Sequence, residues 1–428
     1  VESHLPTPSK SFMNRFYRNT FFLILPISLS VSFVFDPIFH PDSKDYISYH
    51  PARSVGYPFF IYILDKNLKL VLFFQSFFSL FSVALFVREI KYFFNFNNYI
   101  IVFLSSILVL ITTKISLNIL TGSLAFSFFL LFMTIIVKSL QKKQDTFLFL
   151  ALFILFIGVI IRPQLIFLVV SLILTASYIL SKNFKKQTLL IFPLTFLVFF
   201  VPNKINLYFN NLFNEVNVPI ADTWNQLMIL PIFITNEEII EKSHSKYKNL
   251  LINIHQCLVN KGLTKKIAKN NGNNWLHVLE DNSFIIKNCS NVEIEKEFPK
   301  NNLTENENVS KELFFDIFLT NLKYDRINFS ESYFLKFSSA FINQYYLIIF
   351  LFFILFLINE FLRKNDDRFF FFLQLIFTHL SNLIIILIGA PYLTRFKFYT
   401  ELTLMLMIFL VIIDYFSKGI LKNKDGKK

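Results

Sequence analysis

The sequence predicts an all-α integral membrane protein with about ten transmembrane helices. Hydrophobic residues make up 54% of the 428 residues and charged residues only 17%, which is too little charge for the surface of a soluble fold of this length. Long apolar runs recur along the chain, and short basic clusters separate them. Because the runs are so many, the first is interpreted as part of the mature chain and not as a cleaved signal peptide.

The predicted spans are segments of mostly apolar residues whose length is near the roughly 20 residues that a helix needs to cross a bilayer. The shorter segments would have to be assisted by their neighbours. In chain order the spans are residues 16–35, 68–90, 99–117, 121–140, 146–161, 164–181, 187–202, 339–362, 369–389 and 396–416.

The basic clusters predict the orientation of these spans. Cytoplasmic loops of membrane proteins carry an excess of Lys and Arg, and an N-terminus inside the cell makes every cytoplasmic piece basic. An even number of spans then returns the C-terminus to the cytoplasm. In chain order the clusters are "KSFMNRFYR", "REIK", "KSLQKK", "KNFKK", "RKNDDR" and the tail "KGILKNKDGKK".

The same orientation divides the chain into three parts. Residues 1–202 form an N-terminal transmembrane module with a first outer loop at 36–67, and residues 339–428 form a C-terminal one. Between them, residues 203–338 are rich in Asn, Lys and Glu and predict a mainly helical extracytoplasmic domain. Both cysteines of the chain lie there. They can pair in an oxidising compartment, but their spacing does not show whether they do.

Several functional classes have no support in the residues. The net charge of +13 comes from the short clusters between spans, so it indicates membrane orientation and not nucleic-acid binding. The histidines of the insertion have no zinc-ligand spacing, and no glycine-rich phosphate loop occurs. No metal or organic cofactor is predicted, although a divalent cation beside the aspartates is left open.

The first outer loop is unusually polar for this chain. It begins "DPIFHPDSKDYISYHPARSVGYPFF", directly after an uncharged apolar run. Asp42 fits the N-cap of a helix that starts at Ser43, and Asp45 falls in its first turn, where the helix dipole favours a carboxylate. The alternative is that one of these carboxylates is a general base at the mouth of a cavity. The two roles are compatible.

Basic residues at the outer ends of the spans run against the positive-inside rule. Arg53, Arg162 and Arg395 each lie near a proline, and Lys114 and Lys397 share the same side. A guanidinium binds phosphate oxygens in a bidentate manner, so the set suits a lipid phosphate or pyrophosphate at headgroup level. The other interpretation is that these side chains snorkel to ordinary lipid phosphates or pair with the nearby aspartates.

Three segments resemble the membrane glycosyltransferases of the GT-C fold, in the superfamily of dolichyl-phosphate-mannose mannosyltransferases and aminoarabinose transferases. "PDSKDYISY" followed by "RSVGYPFFIYIL" looks like their first outer loop, "IRPQLIFLVVSLIL" like a mid-chain helix break, and "APYLTRFKFYTELTLMLMIF" like the entry to a late helix. Together they cover about a fifth of the chain. The late segment departs from the family, because it lacks the tyrosine after the arginine and the later proline.

The resemblance implies an inverting sugar transfer from a polyprenyl-phosphate carrier. Asp42 would be the general base, with Asp45 as the second candidate. The substrate-binding residues would be Arg53, Tyr46, Tyr57, Lys114, Arg162, Arg395 and Lys397. The partners would be the polyprenyl-phosphate sugar donor, a glycan, lipid or protein acceptor, and membrane lipids.

The expected location is a bacterial plasma membrane, with the active site on the extracytoplasmic side. The runner-up is a membrane polysaccharide polymerase or a ligase resembling the O-antigen ligases. Such proteins usually place their key residues in a long late outer loop, whereas here the dense polar motif is in the first. A lipid-linked sugar transporter or flippase is a third hypothesis, which predicts internal repeats and ionisable midplane sites. The chain has no clear repeat.

Overall fold

A computed structural model describes residues 10–183, 185–221, 223–243, 246–341, 366–389 and 398–413. Within these ranges the regular structure is helical, with one isolated parallel bridge between Ile38 and Asn118 and no strand. This confirms the all-α class. The described residues form two compact units. The first unit contains the described residues within 10–50, 55–199 and 406–413. The second contains those within 51–54 and 200–405.

The first unit contains most of the long apolar helices. A 3₁₀ helix at Pro163–Phe167 precedes α8, and α10 begins in this unit and ends in the second. The helices are α1 (Lys10–Val34), α2 (Ser43–Ile47), α3 (Gly56–Ile63), α4 (Leu68–Phe94), α5 (Asn98–Ser116), α6 (Gly122–Lys142), α7 (Asp145–Ile161), α8 (Leu168–Lys182), α9 (Lys186–Leu189) and α10 (Ile191–Asn214).

The second unit holds the shorter, more polar helices and one further long apolar helix. The last helix passes from this unit back into the first. In chain order they are α11 (Thr223–Ile234), α12 (Glu237–Glu241), α13 (Lys248–Asn260), α14 (Lys265–Asn270), α15 (Trp275–Asp281), α16 (Ser283–Glu297), α17 (Leu303–Tyr324), α18 (Arg326–Phe341), α19 (Asp366–Gly389) and α20 (Phe398–Ile413).

Six helices in the described part of the chain are long and apolar enough to cross a membrane, which confirms the membrane class. The predicted span at 339–362 lies almost entirely outside the described residues, so the total of ten stays a prediction. The six are Leu68–Phe94, Asn98–Ser116, Gly122–Lys142, Pro163–Lys182, Lys186–Asn214 and Asp367–Leu387. Shorter apolar helices are Phe22–Val34, Asp145–Ile161, Thr223–Ile234 and Phe398–Ile413.

Small polar side chains hold the spanning helices α4 and α6 together. The hydroxyl of Ser79 on α4 is 2.8 Å from that of Ser127 and 3.2 Å from that of Ser123, both on α6, and all three side chains are buried. Lipid tails are as apolar as leucine, so helices in a membrane associate through close packing and interhelical hydrogen bonds. These serines allow the two helices to approach closely.

The second unit has its own hydrophobic core, built around the short apolar helix α11. Met228, Ile232 and Phe233 of α11 are fully buried, together with Leu313 and Ile317 of α17. A helix of 12 residues is only about 18 Å long, too short to cross a bilayer unaided. Packing against other protein helices therefore explains the apolar character of α11.

A disulfide joins Cys257 on α13 to Cys289 on α16, with the Cα atoms 5.9 Å apart. The sequence left this pairing open, because residues 32 positions apart in the chain need not meet in space. The helical packing of α13 against α16 brings them together. The bond lies within the predicted outer domain, although α10 runs through the predicted boundary at 202 and ends at Asn214.

Candidate functional site

The first outer loop is fixed to the connection between α5 and α6 by backbone hydrogen bonds. The amide of Ile38 donates to the carbonyl of Leu117 at 2.8 Å, and the amide of Ile119 donates to the carbonyl of Ile38 at 3.1 Å. These two bonds form the isolated bridge. They place the start of the polar loop beside the C-terminal end of α5, which carries Lys114 in its last turn.

Side chains reinforce this attachment just before α2. The amide of His40 donates to Ser43 Oγ at 2.8 Å, and the buried Ser43 hydroxyl donates to the carbonyl of Ile119 at 2.9 Å. The ring nitrogen Nε2 of His40 lies 2.6 Å from Asn118 Oδ1. Hydrogen bonds of His40 and Ser43 to the connection between α5 and α6 therefore set the position of the loop.

The helix α2 begins at Ser43, as predicted, but the predicted side-chain cap by Asp42 is wrong. Asp42 has helical dihedrals, φ −73° and ψ −17°, and its carboxylate makes no capping hydrogen bond. A capping side chain normally needs an extended backbone at the cap position. The amide of Ser43 instead donates to the carbonyl of His40 at 2.9 Å, so a backbone turn serves the start of this helix.

The two candidate acids share one side of α2. Asp42 and Asp45 are three residues apart and both are half-buried. Residues three apart lie on the same helix face, and Tyr46 flanks that face. Lys44 and Ile47 fall on the opposite face. The short helix thus has an acidic side and a separate basic and apolar side.

The two predicted substrate-binding tyrosines lie in the core of the first unit. Tyr57 is fully buried, and Tyr46 packs against it edge to face with ring centroids 5.2 Å apart. The Tyr57 hydroxyl donates to Gln75 Oε1 of α4, and burial raises the pKa of Tyr57, so the hydroxyl keeps its proton. Direct contact with a substrate is therefore not supported for Tyr57. Its side chain orients α3.

Gln75 connects this tyrosine to the loop attachment. Its Nε2 donates to the carbonyl of Ser116 at 2.9 Å and to that of Asn118 at 3.3 Å. The side chain is completely buried within a spanning helix. A primary amide has donors and an acceptor, so Gln75 accepts from the Tyr57 hydroxyl of α3 and donates to two carbonyls at and just after the C-terminal end of α5.

The structure brings the start of α3 against the end of α7. A Cβ atom added at Gly56 would lie 2.7 Å from the carbonyl oxygen of Ile160 and 2.8 Å from Cα of Ile161. Only a residue without a side chain permits this approach. The next residue of the chain after Ile161 is Arg162, so the "GYP" and "IRP" segments, separate in sequence, are neighbours in this unit.

Arg162 lies where the apolar helix breaks. Its backbone is extended, with φ −146° and ψ 104°, because the residue before a proline avoids the helical region. Its side chain is half-buried, and its Nε donates to Gln164 Oε1 at 3.2 Å. The guanidinium is therefore held at a helix break in a position that Pro163 defines.

The other predicted cations are distributed differently. Lys114 is exposed, while Arg53 is half-buried in a segment, residues 51–54, that belongs to the second unit. Within that unit, the carbonyl of Pro51 accepts a hydrogen bond from the amide of Ala221 at 2.9 Å. Arg395 and Lys397 lie outside the described residues.

Sequence reasoning missed the residues that anchor the site. Ser43, Gln75 and Asn118 carry the hydrogen bonds that locate the loop, but none of them bears a charge. A glutamine within the apolar run "FFQSFF" was the one available signal, since an uncompensated amide is costly in a membrane helix.

Comparison of the chain with protein-family models, with curated proteins and with solved structures gave no match. In the described ranges, no group of three or more His, Cys, Asp or Glu side chains is arranged to hold a metal ion. The site is therefore defined by its own geometry: two half-buried carboxylates at the start of α2, and a following segment that contacts the end of α7 at Gly56, one residue before Arg162.

Proposed function

We propose that the chain is a membrane glycosyltransferase of the GT-C type, which moves a sugar from a polyprenyl-phosphate donor to an acceptor outside the cytoplasm. The observation that carries the proposal is the contact at Gly56. It brings the chain that follows the Asp42 and Asp45 loop against the end of α7, next to Arg162. Two of the three segments that resemble this family therefore meet within one compact unit.

The reaction assigned to the site is a single inverting displacement. The acceptor oxygen or nitrogen forms a bond to the anomeric carbon, and the bond from that carbon to the phosphate oxygen breaks. Its electron pair leaves with the polyprenyl phosphate, and the acceptor's proton passes to a carboxylate. Asp42 is the proposed base, and Asp45 is the second candidate on the same helix face.

Positive charge stabilises the leaving phosphate in this proposal. Arg162 is the best supported contact, because its backbone is fixed at the helix break. Arg53, Lys114, Arg395 and Lys397 are retained as further phosphate contacts on the strength of the resemblance. Tyr46 and Tyr57 are assigned a positioning role, since both are buried in the protein core.

The proposed active site faces the extracytoplasmic side of a bacterial plasma membrane. The basic clusters between the spans support that orientation. The disulfide between Cys257 and Cys289 supports it independently, because disulfides persist in oxidising compartments and are rare in the cytosol.

A donor panel tests the proposal. Purified protein is incubated with different polyprenyl-phosphate sugars and an acceptor mixture, and release of polyprenyl phosphate is measured. Asp42→Asn is expected to lower the rate by about 100-fold or more, the range for loss of a general base. Asp36→Asn is the matched control, because Asp36 is 93% exposed in the same loop and pairs with Lys69 at 2.9 Å; its rate is expected to stay near wild type.

Two results would redirect the assignment. Full transfer by Asp42→Asn, combined with loss of transfer after substitutions in residues 203–338, would favour the polymerase or ligase hypothesis. Uptake of a lipid-linked sugar into proteoliposomes without any covalent transfer would favour a transporter. Equal losses in Asp42→Asn and Asp36→Asn would indicate that loop stability, and not a base, was disturbed.

A further inference from the structure

A cavity of about 510 Å³ lies on the side of α2 that faces away from the two aspartates. Lys44, Ile47 and Ser48 of the α2 region line it, with Phe39 and His40 from the preceding loop and Lys66 from the turn after α3. Neither Asp42 nor Asp45 is among its lining residues. It is therefore separate from the proposed catalytic face.

The cavity combines uncompensated positive charge with apolar walls. Across the residues that the structure describes, no carboxylate pairs with Lys44 or Lys66. Lys69, the second residue of α4, is paired: its ammonium is 2.9 Å from Asp36 Oδ1 and 2.8 Å from the carbonyl oxygen of Phe35. Charge complementarity therefore indicates an anionic ligand at Lys44 and Lys66 and not at Lys69.

The position of Lys66 is fixed by an unusual turn. Asp65 and Lys66 both have positive φ angles, 53° and 55°, which residues other than glycine rarely adopt. The amide of Lys66 donates to the carbonyl of Ile61 at 3.0 Å, and Asn67 then caps α4 by accepting from the amides of Lys69 and Leu70. Left-handed pairs of this kind persist where the surroundings hold them, often at ligand sites.

The cavity also has the location of a lipid headgroup site. Lys66 precedes by two residues a helix long and apolar enough to span the bilayer. The apolar side chain of Phe39, which lines the cavity, is 58% exposed. Lysines beside apolar side chains at the end of a span are typical of the level where headgroup phosphates lie.

We propose that this cavity binds the phosphate of an anionic membrane phospholipid, with Lys44 and Lys66 as the phosphate ligands. Phe39 and Ile47 contact the upper part of the acyl chains. His40 completes the site, and its ring is held in place by Asn118 at 2.6 Å. The sugar donor is a different ligand here, because the catalytic aspartates lie on the other face of α2. The proposal does not depend on the transferase reaction.

Lipid retention tests the site. Full-length protein is reconstituted in nanodiscs of phosphatidylcholine with increasing phosphatidylglycerol, and retained phosphatidylglycerol is counted by native mass spectrometry. A Lys44→Gln, Lys66→Gln double variant is expected to weaken retention by about fivefold per lysine, the usual contribution of a basic residue near an anionic surface. Lys69→Gln removes the same charge at the same end of α4 and is expected to change retention little.

Further arms identify the source of the phosphate. The double arginine variant, Lys44→Arg with Lys66→Arg, keeps the charge and is expected to retain phosphatidylglycerol, which separates ligand binding from loss of fold. Equal weakening by Lys69→Gln, or no retention by wild type, would overturn the proposal. Displacement of phosphatidylglycerol by inorganic phosphate would also overturn the proposal, because it indicates a free-anion site. Displacement by polyprenyl phosphate at a concentration below that of phosphatidylglycerol would overturn it too, because it indicates the donor site.

Discussion

Gly56 shows how much of this protein depends on a single missing side chain. The chain turns into α3 at that residue with backbone atoms of Ile160 and Ile161 at its surface, and there is no flexible neighbour that can move aside. The contact joins the first outer loop to the helix break at Arg162. A residue with a Cβ forces either α3 or α7 to shift.

Gly56→Ala is therefore expected to destabilise the protein by about 1–3 kcal/mol, the usual cost of overpacking, and to lower transfer activity as well. Gly158→Ala is the matched control, because its nearest neighbour at 3.1 Å is the side-chain atom Cδ1 of Leu165, which can move. Thermal unfolding in detergent measures both. Equal or greater destabilisation by Gly158→Ala would contradict the special role of Gly56.

Lys336 gives a residue-scale prediction for pH. Its side chain is 2% exposed, its ammonium donates to the carbonyl of Leu387 at 2.9 Å, and burial lowers its pKa to about 8, partly offset by Glu280. Because the folded pKa is below the ordinary 10.5, the burial cost is complete below about pH 8 and disappears as the pH rises toward 10.5.

Lys336→Met is expected to raise stability at pH 7 by about 2 kcal/mol, which is the burial cost less one lost hydrogen bond. The gain should shrink as the pH is raised from 8 to 10. The exposed Lys266 provides the control, and Lys266→Met is expected to change stability little. Thermal midpoints across this pH range measure the difference, and a gain that grows with pH would refute the assignment.

At the scale of elements, the second unit has a covalent link between α13 and α16. The loop closed by Cys257 and Cys289 contains α14 and α15, so the bond restricts that whole segment in the unfolded chain. Ile286 and Leu258 are buried near the two cysteines in the same core. The helical packing and the disulfide therefore act on the same pair of helices.

Removing the link by Cys257→Ser with Cys289→Ser is expected to cost about 2–4 kcal/mol. Reduction of the wild-type protein should lower its free energy of unfolding by a similar amount, seen as a lower thermal midpoint, and should leave the double variant unchanged. Alkylation of intact membranes before reduction checks the redox state. Because they are disulfide-bonded, the wild-type cysteines are expected not to react until the bond is reduced. Free thiols in native membranes would argue against an extracytoplasmic second unit.

Helix α2 shows at the same scale where element prediction succeeds and fails. Its start at Ser43 follows from the polar spacing, and the structure agrees. The cap does not follow, because Asp42 has helical dihedrals in the turn that the Ser43 amide and the His40 carbonyl close, and the Ser43 hydroxyl fixes that turn to the carbonyl of Ile119. Ile119 is far away in sequence, so no local rule could include it.

At the scale of the whole molecule, hydropathy and basic clusters predicted the helical membrane class. Six described helices satisfy the length and composition of spans. Sequence reasoning cannot place α11, because an apolar run buried in protein and one buried in lipid look alike. It also could not bring Gly56 to Ile160 or Cys257 to Cys289, since those contacts depend on tertiary packing over long sequence separations.

Gln75 has a consequence for motion. Its side-chain amide is hydrogen-bonded to α3, to the last residue of α5 and to the segment after it, while its backbone belongs to α4. Local opening of the first loop that displaces these groups would leave a glutamine unsatisfied inside a bilayer-spanning helix, which is costly. The loop and the α5–α6 connection are therefore expected to open together, and matched hydrogen-exchange rates in the two segments would show it. Hydrogen bonds of a residue two turns inside an apolar helix thus add to the cost of opening the loop.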